Sequence, residues 1–397
     1  MRMLNTLIGW MQPLGITPKE LDVEAIVRKA KKRTGLQDTG GDMFLDGIRQ
    51  LSKSVNSSPV TDFGKFSSTG FGVDALSNRL RMVEYFKQHP EVKDVKIERP
   101  VFIVGFPRTG TTLLQNLMHL SPDRRALQFW ELTNPVPVHS DPEADVKKRQ
   151  RHTKGRLAVA NFVVPEMKFI HEVRFDSLEE CWSLFIPQFV VPNWEMTSRW
   201  PEYGKWILQH DLRPAYEEYK KFLQVMVHRV PDKKLILKCP DHMWHLDALL
   251  DVFPDACIVW THRDPGRSIP SYCSLASLNW RLLYGDIDPK ELGPYIEERF
   301  IQGIERGLAV REKVGEERFL DVNFKSLLEN PIEAVNRITD YFNLTPIEES
   351  KMQAYLDRDR PDNRGKHKYS DDHYGLDADE IRKHYEDYIK RFNISVS

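Results

Sequence analysis

Four short apolar runs constrain the fold of this chain more than any other feature of its sequence. Each run is rich in β-branched and aromatic residues and lacks polar alternation, which is typical of a strand buried on both faces of a parallel sheet. The runs lie at residues 100–105, 234–237, 256–260 and 318–322. Helical spacing follows the last three, at about residues 242–253, 266–277 and 331–343. This alternation predicts an α/β fold, a parallel sheet flanked by helices, with its ligand site at the carboxyl ends of the strands.

The N-terminal quarter of the chain has a different pattern. Residues 18–55 and 73–90 carry apolar residues at helical spacing, whereas residues 56–70 are rich in Ser, Gly and Pro and indicate a connection. We therefore expect a helical N-terminal extension over residues 1–95 and one α/β domain over residues 96–397. The apolar start of the chain is too short for a membrane span, so none is expected.

The charge balance and the cysteine content argue against several classes of protein. Lys plus Arg number 57 and Asp plus Glu number 58, for a net charge of −1. A chain-wide cationic surface for nucleic acid is therefore not expected. The 4 cysteines contain no CxxC pair, which argues against a disulfide framework and a structural zinc site. This usage is typical of a reducing, cytoplasmic location. A homo-oligomer is compatible with these features.

A glycine-bounded loop joins the first strand to the next helix and has the spacing of a phosphate-binding loop. Gly105 and Gly110 match the GxxxxG pattern, and backbone N–H groups at the helix start that follows would form an anion site. A nucleotide-hydrolysing loop would continue with Lys, but Thr111 stands there, and the only cation of the loop is Arg108. Without the Lys, an ATP–magnesium complex would be held poorly, whereas Arg108 suits a shorter anion. A chance glycine-rich turn is the alternative.

A second anion site is indicated after the third strand. Arg263 directly follows this strand, Asp264 and Pro265 begin the next helix, and Ser271 lies eight residues after Arg263. Folded back, Arg263 and Ser271 could hold one phosphate from two sides. The alternative is a helix-capping Asp beside a surface Arg. The order of the two motifs along the chain favours a ligand with two anionic groups.

The segment from Pro107 to Thr112 resembles the 5′-phosphosulfate loop of sulfotransferases that use 3′-phosphoadenosine 5′-phosphosulfate (PAPS), a family whose fold resembles that of P-loop nucleotide kinases. Arg at position 108 resembles a largely bacterial branch of that family. The resemblance implies that three segments bind PAPS: the loop (Arg108, Thr109, Gly110, Thr111, Thr112), the 3′-phosphate pair (Arg263, Ser271) and a C-terminal basic loop (Arg364, Gly365, Lys366). Phe324 stands where the cytosolic family has a tyrosine that contacts the nucleotide, so a hydroxyl contact is lost there.

Transfer of a sulfuryl group to a hydroxyl requires a base for the acceptor's proton and a cation at the leaving oxygen. The second strand ends near Lys238, and in the cytosolic family a Lys-x-His pattern at this strand end supplies the base. Here Pro240 stands at the histidine position and His242 follows, which resembles the bacterial pattern Lys-x-Pro-x-His. His171, which has carboxylates nearby in sequence, is the other candidate base. The predicted catalytic residues are His171, His242, Lys238 and Arg108, and no metal is required.

The chemical class of the acceptor is the part of the function that the sequence specifies least. Residues 181–206 are dense in aromatic residues and prolines, which is typical of an apolar pocket and equally of a core insertion. The pocket interpretation predicts a hydrophobic small-molecule acceptor, such as a lipid, a sterol or an aryl alcohol. The alternatives are a P-loop nucleotide kinase or nucleotide triphosphatase, a non-catalytic nucleotide-binding protein, and an enzyme in which sulfation triggers an elimination.

Overall fold

The computed structural model describes residues 18–163, 173–285, 287–358 and 371–396. Its centre is one sheet of five parallel strands in the order β2-β3-β1-β4-β5. The strands are β1 Val101–Gly105, β2 Arg124–Ala126, β3 Lys234–Lys238, β4 Cys257–His262 and β5 Phe319–Asn323. The predicted parallel sheet is confirmed, and each of the four apolar runs forms a strand. β2 is a fifth strand without such a run, because arginines occupy two of its three positions.

Helices surround this sheet. Before β1 lie α1 Val23–Thr34, α2 Met43–Ser57 and α3 Asp62–Gln88. Between β1 and β3 lie α4 Thr111–Met118, α5 Phe129–Thr133, α6 Pro142–Val163, α7 Trp194–Ser198, α8 Pro201–Gln209 and α9 Arg213–Arg229. The later connections contain α10 Leu246–Val252, α11 Pro265–Tyr284 and α12 Pro289–Val314. β5 is followed by α13 Phe324–Glu329, α14 Pro331–Tyr341, α15 Glu349–Arg358, α16 Ala378–His384 and α17 Glu386–Arg391. Over the described parts of the chain, no helix is both long and apolar enough to cross a membrane.

Alternating side chains of the strands enter two hydrophobic layers, one on each face of the sheet. On β1, Phe102 and Val104 belong to one layer, whereas Val101 and Ile103 belong to the other. All four side chains are fully buried. A strand covered on both faces has no solvent-facing position, which explains why β1 is an unbroken apolar run.

The N-terminal helices share the core of the sheet. Ile26 of α1, Ile48 of α2 and Leu76 of α3 are fully buried in the same hydrophobic layer as Phe102. The helical N-terminal region that the sequence predicts is therefore present, and it packs directly on the α/β part. The division of the chain at residue 95 stays a prediction.

The prediction of a long connection over residues 56–70 is wrong. α3 begins at Asp62 with Thr61 as its N-cap, and Thr61 Oγ1 accepts a hydrogen bond of 3.1 Å from Gly64 N. The small residues of this segment allow close packing instead of a turn. A Cβ on Gly64 would lie 2.6 Å from the carbonyl oxygen of Leu283 in α11, so this helix contact requires glycine.

Candidate active site

The strands of the sheet bring the predicted functional segments to one edge. β1 ends at Gly105 and β3 at Lys238, and the strand register places Lys238 beside Ile103. Gly105 lies beside Thr261 of β4, two residues before Arg263. Because the carboxyl ends of parallel strands meet at the same edge, the phosphate loop, Lys238 and Arg263 lie at one edge of the sheet although they are far apart in sequence.

The loop between β1 and α4 depends on its two glycines. Gly105 has φ +123°, and a Cβ there would lie 2.3 Å from the carbonyl oxygen of Thr261. Gly110 has φ +82°, and a Cβ there would lie 2.8 Å from Leu327 Cδ2. Both positions combine a left-handed backbone with a close approach, which only glycine tolerates without strain. The loop conformation therefore follows from the GxxxxG spacing.

The hydroxyl group of Thr109 holds the loop from within. Thr109 Oγ1 donates to the carbonyl oxygen of Phe106 at 2.6 Å and lies 2.6 Å from Thr261 Oγ1. Thr261 Oγ1 in turn donates to the carbonyl oxygen of Val104 at 3.1 Å. The Thr109 side chain is fully buried in these contacts, so its hydroxyl stabilises the loop conformation, and its predicted part in ligand binding stays a prediction.

The start of α4 is the part of this loop that could bind an anion. Its first N–H groups, from Thr111 onward, have no acceptor within the helix. The macrodipole adds a partial positive charge at the same end. Thr111 is buried, whereas Thr112 is exposed, so the hydroxyl of Thr112 is the one that solvent or a ligand can reach.

Three of the residues that were predicted to hold phosphate groups are in contact with each other. Arg108, which is exposed and has φ +68°, donates from Nε to Ser271 Oγ at 3.2 Å. Arg263 donates from Nη1 to the carbonyl oxygen of Arg108 at 2.6 Å. A non-glycine residue in the left-handed region stores strain and is found preferentially at functional sites. The two anion sites inferred from separate motifs therefore form one continuous polar surface.

An aromatic ring completes this surface. The guanidinium of Arg263 lies 4.2 Å from the centroid of the Phe324 ring. A Cβ on Gly110 would lie 3.2 Å from Cδ2 of the same ring. Phe324 begins α13 directly after β5. The cation–π contact between Phe324 and Arg263 had no signal in the sequence, because 61 residues separate the two.

A buried ion pair connects the second anion site to the C-terminal helices. Asp264 caps α11 by accepting from Gly266 N at 3.0 Å, which confirms that the helix begins at Asp264-Pro265. The Asp264 carboxylate also accepts from Arg382 of α16, with Nη2 at 2.7 Å. Sequence reasoning missed Arg382, because nothing in a local pattern pairs residues 118 positions apart.

Lys238 is the most deeply buried cation at this edge. Its side chain is 2% exposed and donates from Nζ to Glu180 Oε1 at 3.0 Å, while Glu180 is 27% exposed. Burial alone lowers the pKa of Lys238, but the attraction of Glu180 and Glu179 outweighs it and the pKa is raised. Lys238 therefore stays charged, and Glu180 is a carboxylate that reaches both this cation and the solvent.

His242 has a different environment from the one its predicted role requires. It is 1% exposed, with Nδ1 at 2.7 Å from Tyr216 Oη and Nε2 at 3.3 Å from Cys181 Sγ. Burial lowers its pKa to about 3. Both ring nitrogens are engaged inside the protein, so this geometry argues against the prediction that His242 is the base and favours a structural role.

Two predicted parts of the site lie outside the described residues. They are the candidate base His171 and the C-terminal basic loop with Arg364, Gly365 and Lys366. Their roles stay predictions. α16, whose Arg382 binds Asp264, follows that basic loop in the chain after 3₁₀-helical residues Asp371–Tyr374.

The aromatic segment over residues 181–206 is mainly core. Phe185, Phe189 and Tyr203 are fully buried, and Trp194 and Trp200 are each 5% exposed. Of the two interpretations of this segment, core insertion therefore accounts for most of its side chains. Trp182 and Trp206 are half-buried, and Trp182 follows Glu180 by two residues.

Comparisons with known proteins agree with this geometry. A model of the sulfotransferase family matches residues 100–349. The omega-hydroxy-beta-dihydromenaquinone-9 sulfotransferase Stf3 of Mycobacterium bovis is 26% identical over 311 residues, which cover 74% of this chain and 74% of that protein. The crystal structure of sulfotransferase STF9 from Mycobacterium avium has a TM-score of 0.84 and 28% identity, covering 95% of this chain and 98% of its own.

A second crystal structure, sulfotransferase STF1 from Mycobacterium tuberculosis H37Rv, has a TM-score of 0.82 and 28% identity. It covers 93% of this chain and 99% of its own. The matched range of the family model begins at the strand that precedes the phosphate loop and covers more than half of the 397 residues. The chain therefore belongs to the sulfotransferase family and is a sulfotransferase.

Proposed function

We propose that the enzyme transfers the sulfuryl group of PAPS to a hydroxyl group of a hydrophobic small molecule. The observation that carries this proposal is that Arg108, in the loop before α4, contacts both Ser271 and Arg263. Two anion-binding elements in contact fit a donor that carries a phosphosulfate and a separate phosphate. A single phosphate ligand would require only one of them.

In this proposal each element binds one end of the donor. The N–H groups at the start of α4 and the Arg108 guanidinium bind the 5′-phosphosulfate, and Arg263 with Ser271 binds the 3′-phosphate. The predicted loop with Arg364, Gly365 and Lys366 adds further contacts to the 3′-phosphate. The absence of a P-loop Lys after Gly110 favours this donor over an ATP–magnesium complex.

The transfer step is an in-line displacement at sulfur. The acceptor oxygen forms a bond to sulfur as the bond from sulfur to the bridging phosphate oxygen breaks, and the bonding pair stays on that oxygen. Lys238 and Arg108 stabilise the negative charge that develops there. The acceptor's proton passes to a base, and no metal takes part.

Two groups can receive that proton. His171 is the histidine that the sequence predicts, and Glu180 is a carboxylate beside Lys238 at the strand end. We favour Glu180, because it combines partial exposure with a contact to the cation that sits at this edge. Compared with Glu179→Gln as the matched control, Glu180→Gln is expected to lower the single-turnover rate about a hundredfold. An unchanged rate in Glu180→Gln together with a large loss in His171→Gln would assign the base to His171.

A hydrophobic acceptor is supported from two directions. The relative from Mycobacterium bovis acts on a hydroxylated dihydromenaquinone by its name, and that compound is an apolar alcohol. On this chain, the half-buried ring of Trp182 is two residues from Glu180 in sequence, which is compatible with an apolar acceptor near the proposed base. A charged glycan would require additional cations at that position.

Radiolabelled PAPS incubated with the purified enzyme and a panel of lipid, sterol and aryl alcohols tests this function. Label is expected in a product that partitions into organic solvent, and mass spectrometry of that product separates a sulfate ester from an eliminated alkene. A protein that binds adenosine 3′,5′-bisphosphate (PAP) but transfers label to none of these alcohols would contradict the acceptor class. Hydrolysis of ATP by the purified enzyme in the presence of magnesium would instead support the alternative of a P-loop nucleotide kinase or nucleotide triphosphatase.

A further inference from the structure

A basic cavity lies between the N-terminal helices and α6, among side chains that the proposed transfer reaction does not use. It has a volume of about 400 Å³. Its cationic lining consists of Arg33, Arg81, Lys148, Arg149 and Arg156. Among the described residues, two carboxylates form ion pairs with these five groups: Asp74 with Arg33 and Arg156, and Asp145 with Arg149. The cavity therefore keeps a net charge of 5 − 2 = +3, which favours an anionic occupant.

Among the cations that line the basic cavity, Arg81 is the one that a bound anion would stabilise most. It is half-buried on α3 and donates to Asn78 Oδ1 at 3.4 Å, and in the described part of the chain no carboxylate forms an ion pair with it. Burial and the nearby charge of Arg33 lower its pKa, against the opposing effect of Asp74. A positive charge held half out of water without a carboxylate is costly unless a ligand compensates it.

The same side of α6 continues from this basic cavity to an exposed apolar end. At 100° per residue, Lys148, His152, Arg156, Val159 and Phe162 fall within about 120° of the helix circumference. Val159 is 64% exposed and Phe162 is 83% exposed. No acidic residue lies between 146 and 163. Cations followed by apolar side chains along one exposed helix face are typical of a helix that lies in a membrane interface.

We propose that this face of α6 docks on an anionic phospholipid surface, with a headgroup phosphate in the basic cavity and with Val159 and Phe162 in the acyl boundary. Charge complementarity selects the anionic lipid, and the two apolar side chains distinguish a bilayer from a dissolved anion. Docking at this face brings the enzyme to the surface in which a hydrophobic alcohol is dissolved. It does not depend on which alcohol is the acceptor.

Sedimentation with vesicles tests the docking. The full chain is mixed with vesicles of phosphatidylcholine alone and with vesicles that also contain phosphatidylglycerol. The enzyme is expected to bind only the second kind, and less at high salt because the charges are screened. Binding to inorganic phosphate without binding to the anionic vesicles would overturn the bilayer assignment, as would equal binding to both kinds of vesicle.

Two pairs of variants locate the surface. Arg81→Gln is expected to lower the partition coefficient about fivefold, and Phe162→Ser about tenfold. Their matched controls, Lys147→Gln and Phe66→Ser, remove a cation outside the cavity and an exposed phenylalanine on α3, and they should change partitioning less. Affinity for PAP should be the same in all four, so a failure of docking is distinct from a failure of the proposed function. Losses in the controls as large as in Arg81→Gln and Phe162→Ser would overturn the proposal.

Discussion

Gly105 and Gly110 occupy two positions at which the phosphate loop cannot accept a side chain. Both have a left-handed backbone, and at both a Cβ would lie within 2.8 Å of a neighbouring atom. The loop thus presents the backbone N–H groups of α4 to a ligand only while these positions stay glycine. At this scale the spacing of the two glycines was sufficient to predict the local conformation.

Gly110→Ala is expected to lower the free energy of unfolding by about 1–2 kcal/mol. Alanine is strained in a left-handed backbone conformation, and its Cβ would lie too close to the Leu327 side chain. It should weaken PAP binding as well, since the start of α4 shifts. Gly70→Ala is the matched control. Gly70 lies within α3 with nothing within 4 Å of its Cβ position, so alanine there should raise the free energy of unfolding by about 0.5–1 kcal/mol. Chemical denaturation measures the change in the free energy of unfolding for each variant. An unchanged free energy of unfolding in Gly110→Ala would contradict the loop geometry.

His242 has contacts that residue-level prediction does not reveal. The sequence places a histidine near a strand end, but it does not reveal that Tyr216 and Cys181, 26 and 61 positions away, engage its two ring nitrogens. His242→Ala is expected to lower the free energy of unfolding by roughly 3 kcal/mol, because it leaves a cavity and an unpaired Tyr216 hydroxyl. Affinity for PAP, measured on the folded fraction by calorimetry, should be retained. A stable variant that has lost only the chemical step would instead restore His242 as the base.

At the scale of elements, α11 and α16 form one unit with the second anion site. Asp264 caps α11 and binds Arg382 of α16, so the helix that carries Ser271 is tied to the chain that follows the predicted basic loop. The strands and most of the helices were predictable, because apolar runs and helical spacing are local signals. β2 was not, since Arg124 and Arg125 conceal it, and the start of α3 was not, since its small residues serve contacts with α1 and α11.

Arg382→Gln is expected to lower the free energy of unfolding by about 2 kcal/mol, since it removes a charged hydrogen-bond donor from the buried Asp264 carboxylate. It should also weaken PAP binding severalfold by loosening the start of α11. Lys383→Gln removes a neighbouring cation that pairs only with the exposed Glu380 in the described part of the chain, and it should change stability by less than about 0.5 kcal/mol. Thermal denaturation measures the stability of the two variants, and calorimetric titration measures their affinity for PAP. Equal effects of Arg382→Gln and Lys383→Gln would contradict the role given to the ion pair between Asp264 and Arg382.

For the whole molecule, one buried carboxylate imposes a pH dependence on stability. Asp241 is 4% exposed, and burial together with the charge of Glu180 raises its pKa to about 7. Asn193 Nδ2 donates to it at 3.0 Å. Because the unfolded chain has an Asp pKa of about 4, the folded state binds this proton more tightly. The contribution of Asp241 to stability therefore falls as the pH rises from about 4 to about 7.

Asp241→Asn removes this titration while it keeps the shape of the side chain. Relative to the wild type, the free energy of unfolding of Asp241→Asn should be higher, meaning a more stable fold, at pH 8 than at pH 5, and urea denaturation at the two pH values measures the difference. His242 has the opposite effect. Because burial lowers its pKa, the contribution of His242 to stability falls as the pH falls, and His242→Ala removes that dependence. A difference between Asp241→Asn and the wild type that does not change with pH would show that Asp241 is not protonated in the folded state at neutral pH.

The whole-molecule arrangement was only partly visible in the sequence. Ordered motifs at strand ends predicted that Arg108, Lys238 and Arg263 would meet at one edge, because parallel strands align their carboxyl ends. The contacts that join them depend on tertiary packing: the hydrogen bond from Arg108 to Ser271 and the Phe324 ring beneath Arg263 link residues that no local pattern relates. The same holds for the N-terminal helices, whose contact with α11 includes the close approach at Gly64 and hydrogen bonds from Thr61 to the carbonyl oxygen of Leu283.

The central claim is that Arg108, Arg263 and Ser271 form one site for a nucleotide with two anionic groups, and calorimetric titration of the purified enzyme with PAP tests it most directly. The account predicts saturable binding at one site, weakened about tenfold to a hundredfold by Arg263→Ala and unaffected by Arg281→Ala, which removes an exposed arginine farther along α11. No binding of PAP, or binding that Arg263→Ala and Arg281→Ala leave equally unchanged, would contradict it.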